Sequence, residues 1–339
     1  MTTTKPPGQP ERQKHGRMWE QGRGRRRGEE LMVPQATFSS YYGRPVVKKP
    51  VWEELDIAGY LFTGGIAAGT ALLAAGADRT GRAELRRAMR LSSLAALSVS
   101  GVALVHDLGR PERFANMLRV FKPTSPMSVG SWLLSAFALP TAISAADELP
   151  QLIPGPLRPL VQRLAPAASV AAAAIGSGVA TYTAVLICDT AVPSWHAAYP
   201  EMPFVFAGSA LSGSAGLALV LAPVAETAPA RKLAFFGAVL ELASSQRLEH
   251  RLGLVGEPYR EHPSGRKMKL AKALTLTGVV ASTLLAKRSR AAALAAGAAL
   301  VGASALTRFA IFEAGVVSTE DPAYTVAPQR IRVEERAHN

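Results

Sequence analysis

The stretch IAGYLFTGGIAAGTALLAAGA, Ile57 to Ala77, carries no charged side chain from end to end. An α-helix rises 1.5 Å per residue, so about 20 apolar residues span the roughly 30 Å hydrocarbon core of a bilayer. The run therefore reads as a membrane span. Its Gly-rich centre, GGIAAG at Gly64 to Gly69, places small residues at near-helical spacing, which lets neighbouring helices approach closely in lipid.

Working outward, apolar runs recur at 88–106, 127–147, 166–188, 203–224, 233–246, 271–286 and 291–313, with charged residues clustered between them. Eight spans predict an all-α integral membrane protein with eight transmembrane helices. The sixth and seventh runs are short and interrupted by polar residues, so they read either as re-entrant segments or as ordinary helices extended by snorkelling basic side chains. Hydrophobic residues at 48% of the chain do not by themselves separate a soluble from a membrane protein. Their distribution does. The mean hydropathy of +0.14 is low for such a protein because the spans are alanine-rich and a polar tail precedes them. Residues 1–50, rich in Pro, Gly, Arg and Gln, read as a basic tail without a core of its own; 51–315 form the transmembrane domain and 316–339 a C-terminal tail.

The net charge of +13 is read as loop charge facing one side of the membrane rather than as nucleic-acid contact. RGRRRG, Arg23 to Gly28, is followed by no apolar export segment, which places the N-terminus in the cytoplasm. An even number of spans puts the C-terminus there too, and the Lys and Arg bias agrees, although it comes mainly from the tails. One cysteine, Cys188, excludes a disulfide framework, an iron–sulfur cluster and a structural zinc site within the chain. The glycine-rich patterns follow no strand and carry no Gly-Lys-Ser/Thr, so they are not phosphate loops.

Under this topology His15, His196, His250, His262 and His338 share one face, with His106 at the same boundary. A bis-histidine haem needs two imidazoles facing each other inside the bundle, and only His106 lies near a helix. A metal site from His106, Asp107 and His196 has no diagnostic spacing. The stretch VHDLGRPERF, Val105 to Phe114, sets His106 and Asp107 at the end of an apolar run. An imidazole beside a carboxylate there can exchange protons with an amphipathic ligand such as a quinone. The structural alternative has Asp107 capping the next turn, Gly109 supplying unusual backbone angles, Pro111 opening a short helix, and Arg110 and Arg113 binding lipid phosphate. Inside the spans, Glu241 and Arg308 are costly in lipid; they read either as a neutralising pair or as part of a proton path.

Several motifs together resemble the NrfD/PsrC family of membrane subunits. DLGRPERF with FKPTSPMSVGSW resembles that family's second-to-third-helix loop, YLFTGGIAAG its first helix, and YTAVLICDTAVPSW with PFVFAGSALSGSAG its fourth and fifth helices. GASALTRFAIFEAG and DPAYTVAPQR extend the resemblance to about residue 330. The resemblance implies eight helices arranged as two four-helix bundles, with no haem or cluster of their own, in the bacterial inner membrane. It implies electron exchange between a quinone such as menaquinone and a four-cluster ferredoxin-like iron–sulfur subunit, which serves a catalytic, often molybdopterin, subunit. Carried over by position, the quinone-pocket residues are His106, Asp107, Arg110, Ser125 and Ser128, then Tyr60 and Asp189, with His106 and Asp107 as the proton-exchanging pair. Two other classes fit the same chain: a transporter or proton channel using Glu241 and Arg308, against which no internal repeat is evident, and a structural anchor recruiting a soluble enzyme through the basic tail.

Overall fold

The computed structural model describes residues 45–109 and 112–338, and every regular element among them is helical. The basic tail up to residue 44, with His15 and RGRRRG, and also Arg110 and Pro111 lie outside the described residues. Helix α1 spans Glu54–Arg79, α2 Ala83–Asp107, α3 Glu112–Met117, α4 Pro126–Ala146, α5 Arg158–Cys188, α6 Pro193–Ala197 and α7 Met202–Leu221. Then follow α8 Ala228–Arg251, α9 Pro263–Leu284, α10 Arg290–Glu320 and α11 Ala323–His338. Each apolar run of the sequence lies largely within one of the long helices. The ends differ: α5 begins before the expected residue 166, and α10 continues past 313 to Glu320.

Six of the helices, α1, α2, α4, α5, α7 and α10, are long and apolar enough to cross a membrane. The chain is an integral membrane protein. Helices α8 and α9 are of comparable length but fall outside that set because charged residues are spread along them: Arg231, Lys232, Glu241, Arg247 and Arg251 on α8, and Arg266, Lys267, Lys269 and Lys272 on α9. Large apolar side chains nevertheless stand outward on both, including Phe235, Phe236 and Val239 on α8 and Leu276, Val280 and Leu284 on α9.

Packing follows two rings of neighbours. Helix α1 lies against α2 and α5, and α4 against α5 and α2; α7 lies against α8 and α10, and α9 against α10 and α8. Helices α1, α5, α7 and α10 join the two sets. Small residues make these contacts close. A Cβ at Gly208 would strike the backbone of Glu241, one at Gly237 would lie 2.7 Å from the Ser212 nitrogen, and one at Gly216 would lie 2.6 Å from the Gly297 carbonyl oxygen. Helix α7 thus meets α8 and α10 nearly backbone to backbone.

Where helices end, charged side chains close the exposed backbone groups, which otherwise cost several kcal/mol in a nonpolar setting. Glu226 accepts the Leu85 N–H at the start of α2 (2.8 Å), and Arg290 donates to the carbonyls of Leu219, Val220 and Ala222 at the end of α7. Arg90, 2% exposed, binds Asp147, Glu148 and Asp78, which clamps α2 to α4 and α1.

Replacing Gly208 by Val is expected to lower thermal stability in nanodiscs by at least the 1–3 kcal/mol typical of an overpacked core, about the scale set by similar insertions elsewhere. Gly59 meets nothing within 4 Å, so Gly59→Ala should leave stability unchanged or raise it by about 0.5–1 kcal/mol, as helix propensity favours alanine. Equal melting temperatures for Gly208→Val and wild type would refute the close-packing account.

Candidate functional site

One end of the helices gathers most of the polar connections. Lys267 bridges Glu54 of α1 and Glu313 of α10 at 3.4 and 3.1 Å, and Lys49 reaches Glu320. Ser194 donates to the Val255 carbonyl (2.8 Å), and His262 lies 3.3 Å from the Tyr324 hydroxyl. The loops before α4, between α5 and α7, and between α8 and α9 therefore share a face with both described tails. His106, His196, His250 and His262 belong to it; the side chain of His338 lies outside the described residues.

Trp195 of α6 pins this face. It is fully buried, donates its Nε1–H to the Ile311 carbonyl at 2.7 Å, stacks on Trp52 at 5.9 Å and packs against Phe312. Any side chain at Gly315 would overlap its ring. With Trp195 fixed, the neighbouring His196 lines a cavity of about 610 Å³.

The cavity lies between the start of α4, the end of α5 and the α6–α7 connection. Pro123, Thr124, Pro126 and Val129 form one wall, Tyr182, Val185, Cys188 and Asp189 a second, and His196 and Tyr199 a third. Its size is within the few hundred to a thousand Å³ of small-molecule sites, and its lining is largely apolar with a few polar groups, as such sites require. Tyr182 donates its hydroxyl to the Pro126 carbonyl, tying α5 to the first turn of α4, and Gly130 leaves the room for that ring. His196 Nδ1 lies 3.2 Å from the Cys188 carbonyl oxygen. A carbonyl only accepts, so in this contact Nδ1 carries the hydrogen, and in the neutral imidazole Nε2 is then the acceptor.

Of the residues expected at a pocket, Asp189 lines the cavity. Ser125 is the residue before α4, and Ser128 accepts the Lys122 N–H and donates to the Val120 carbonyl, shaping the segment that forms the first wall. Tyr60 is buried in the core around α1. His106 and Asp107 do not line this cavity; both are bound to the start of α1. His106 Nδ1 lies 2.6 Å from Asp56, and Asp107 accepts the Glu53 N–H at 3.3 Å. Asp107 thus closes the N-terminus of α1 rather than the turn that follows it. Gly109 does take the left-handed conformation, at φ +65°. No group of three or more His, Cys, Asp or Glu among the described residues is placed to hold a metal ion.

Tyr182 is not among the residues expected at a pocket, and His196 enters only as a metal-ligand candidate with His106 and Asp107. A signal for the first exists: Tyr182, Val185 and Asp189 fall at i, i+3 and i+7, one face of a helix ending at the polar boundary. Nothing local marks His196, whose position depends on Trp195.

Glu241 and Arg308 sit elsewhere, among α7, α8 and α10. Glu241, 3% exposed, accepts the Thr307 hydroxyl at 2.8 Å and the Ser212 hydroxyl at 3.2 Å. Arg308, 1% exposed, donates from Nη2 to the Phe206 carbonyl at 2.7 Å and lies 3.6 Å over the Phe206 ring. The neutralising contact expected between the two is not a direct ion pair: hydroxyls hold the carboxylate and a backbone carbonyl holds the guanidinium.

The α6–α7 wall is fastened by Glu201, whose two carboxylate oxygens take Arg251 at 2.8 and 2.6 Å, while Arg251 also binds the Ala197 carbonyl. Burial alone would raise the Glu201 pKa, but the bond and charge of Arg251, with help from Arg247, outweigh it and hold the carboxyl below its ordinary value. A folded-state pKa below the unfolded one means that the pairing stabilises fully above the unfolded value and is lost as pH falls through the folded value. Wild-type thermal stability should therefore fall along that acid limb, and Glu201→Gln should lose less over the same range; identical pH profiles would show that the pair contributes nothing.

Residues 45–236 match the family described as polysulphide reductase, NrfD, a stretch that runs from the described N-terminal segment through α7 into α8 and includes every wall of the cavity. No curated protein matches the chain. With its apolar helices and a family match over more than half its length, the chain belongs to the NrfD family of membrane subunits.

Proposed function

We propose that this chain is the quinone-reacting membrane subunit of an oxidoreductase complex, with the quinone ring seated in the cavity between α4, α5 and α6. The observation that carries the proposal is the cavity itself, built within the NrfD-matched residues at the polar end of apolar helices. Reduction of a quinone takes two electrons and two protons, and oxidation of the quinol releases them. Tyr182, Asp189 and His196 supply polar groups at an otherwise apolar wall, and His196 Nε2 is the acceptor available to a quinol hydroxyl. The electrons pass to or from an iron–sulfur subunit of the ferredoxin-like, four-cluster type docked on the same face, and through it a molybdopterin subunit. The face suits such docking because the described N-terminal segment, α11 and three polar loops converge there.

In this reading α8 and α9 also cross the membrane, giving eight helices in two four-helix groups. Their outward-facing Phe236, Val239, Leu276 and Val280 favour lipid contact, and their basic ends favour snorkelling. The cavity face is the cytoplasmic side of the bacterial inner membrane.

The test is titration of the purified chain in nanodiscs with a fluorescent quinol analogue. His196→Ala and Gly130→Leu are expected to weaken binding about tenfold or more, the equivalent of about 1.4 kcal/mol or one lost polar contact to the ring. His106→Ala should leave affinity unchanged. If His106→Ala abolishes binding while His196→Ala does not, the ring sits at the α1–α2 corner instead; an absence of binding to wild type would overturn the quinone reading.

A further inference from the structure

Glu241 lies outside the NrfD-matched residues and away from the cavity lining, yet it is held by an arrangement a fixed ion pair would not need. Thr307 and Ser212, which donate to it, each have a second acceptor within reach, and Ser209 stands nearby. Thr307 Oγ1 is 2.8 Å from Glu241 and 3.0 Å from the Ala303 carbonyl oxygen; Ser212 Oγ is 3.2 Å from Glu241 and 3.2 Å from the Ser209 carbonyl oxygen. A hydroxyl has one hydrogen and can donate to only one of these at a time. When Glu241 is ionised, both hydroxyls turn toward it. When Glu241 carries a proton, its own O–H donates to one hydroxyl oxygen, and the hydroxyls turn back to the two carbonyls. Both protonation states are hydrogen-bonded without moving a heavy atom.

Arg308 supplies the second observation. Its Nε and Nη1 are buried without a hydrogen-bond partner in the protein, beside the carboxylate that Thr307, the preceding residue, holds. A buried charged donor left without a partner is costly, so these two nitrogens mark a polar group exposed to this interior site. Among the described residues Arg308 is the charged group acting on Glu241: α7 contributes hydroxyls, and Lys272 of α9 is occupied by Glu249 at 2.7 Å, about two turns further along α8.

We propose that Glu241 is an internal proton-exchange site, with Ser212 and Thr307 as its two-way hydrogen-bond partners and Arg308 as the positive charge beside it. The proton is taken from water as the carboxylate becomes a carboxylic acid and is returned on ionisation; no other bond changes. This site stands independently of the quinone cavity and of the assignment of His196.

Infrared difference spectroscopy of the full chain in nanodiscs, titrated across pH, tests it. Wild type should show a carboxylic C=O band that appears on acidification, exchanges in deuterated buffer and is missing from Glu241→Gln. In Thr307→Val, which keeps the side-chain shape, the band should shift as its strongest hydrogen-bond partner is lost. A band that survives Glu241→Gln unchanged, or no pH-dependent band at all, overturns the proposal. If Glu241→Gln fails to fold, Thr307→Val decides: an unshifted band overturns it.

Discussion

The close approach of α7 to its neighbours is the constraint on which the remaining structure depends. Lipid tails are as apolar as leucine, so burying more apolar surface does not drive membrane helices together; contact area and hydrogen bonds between them must. Along α7 that contact is made by glycine: Gly208 against the backbone of Glu241, Gly213 against Ser304, and Gly216 against Gly297. With the axes this close, short side chains reach across. Ser209 meets Ser304 at 3.0 Å, and Ser212 meets Glu241. Larger residues at these positions would separate the helices beyond the reach of a serine hydroxyl. A buried carboxylate is tolerable here because the glycines bring its partners to it.

A second constraint acts at the helix ends. Each terminus leaves backbone groups without intrahelical partners, and near lipid they must be closed by the protein itself. The two ends solve this differently. At one, Arg90, Arg290 and Glu226 bind acidic groups or backbone directly and leave a tightly closed surface. At the other, Asp107 binds the start of α1, Tyr182 the first turn of α4, and Arg251 both Ala197 and Glu201. Of these, Tyr182 also lines the cavity, where its bond to Pro126 joins two of the walls.

This division explains what could be read from the sequence. The eight helical runs follow from composition alone, and the stripes GGIAAG and GSALSGSAG do mark close helix contacts, since Gly69, Gly208, Gly213 and Gly216 all lie against neighbouring backbones or short side chains. The sixth and seventh runs look weak because they are short and interrupted by polar residues; both helices begin well before them, through basic residues such as Arg231 and Lys232 on α8 and Arg266, Lys267 and Lys269 on α9. Pairings across helices were not legible. His106 and Asp107 carry the right chemistry for a pocket rim, but α1 begins beside them and takes both. His196 has no local distinction; its position depends on Trp195, whose own place depends on the absence of a side chain at Gly315, far away in the chain.

The two polar sites are carried by different parts of the molecule. The cavity is built wholly from residues within the NrfD match, which ends at residue 236; Glu241, Thr307 and Arg308 all lie beyond it. Yet α7 belongs to both: its N-terminus is tied through Glu201 to Arg251 at the end of α8, and its middle supplies Ser209 and Ser212 beside Glu241 on the same α8. Glycine contacts make the α7–α8 pair stiff, because neither backbone can slide without a clash. The same close contacts hold α7 to α10, where Gly216 meets Gly297 and Gly213 meets Ser304, so Ser212, Glu241 and Thr307 keep their spacing as parts of one packed unit.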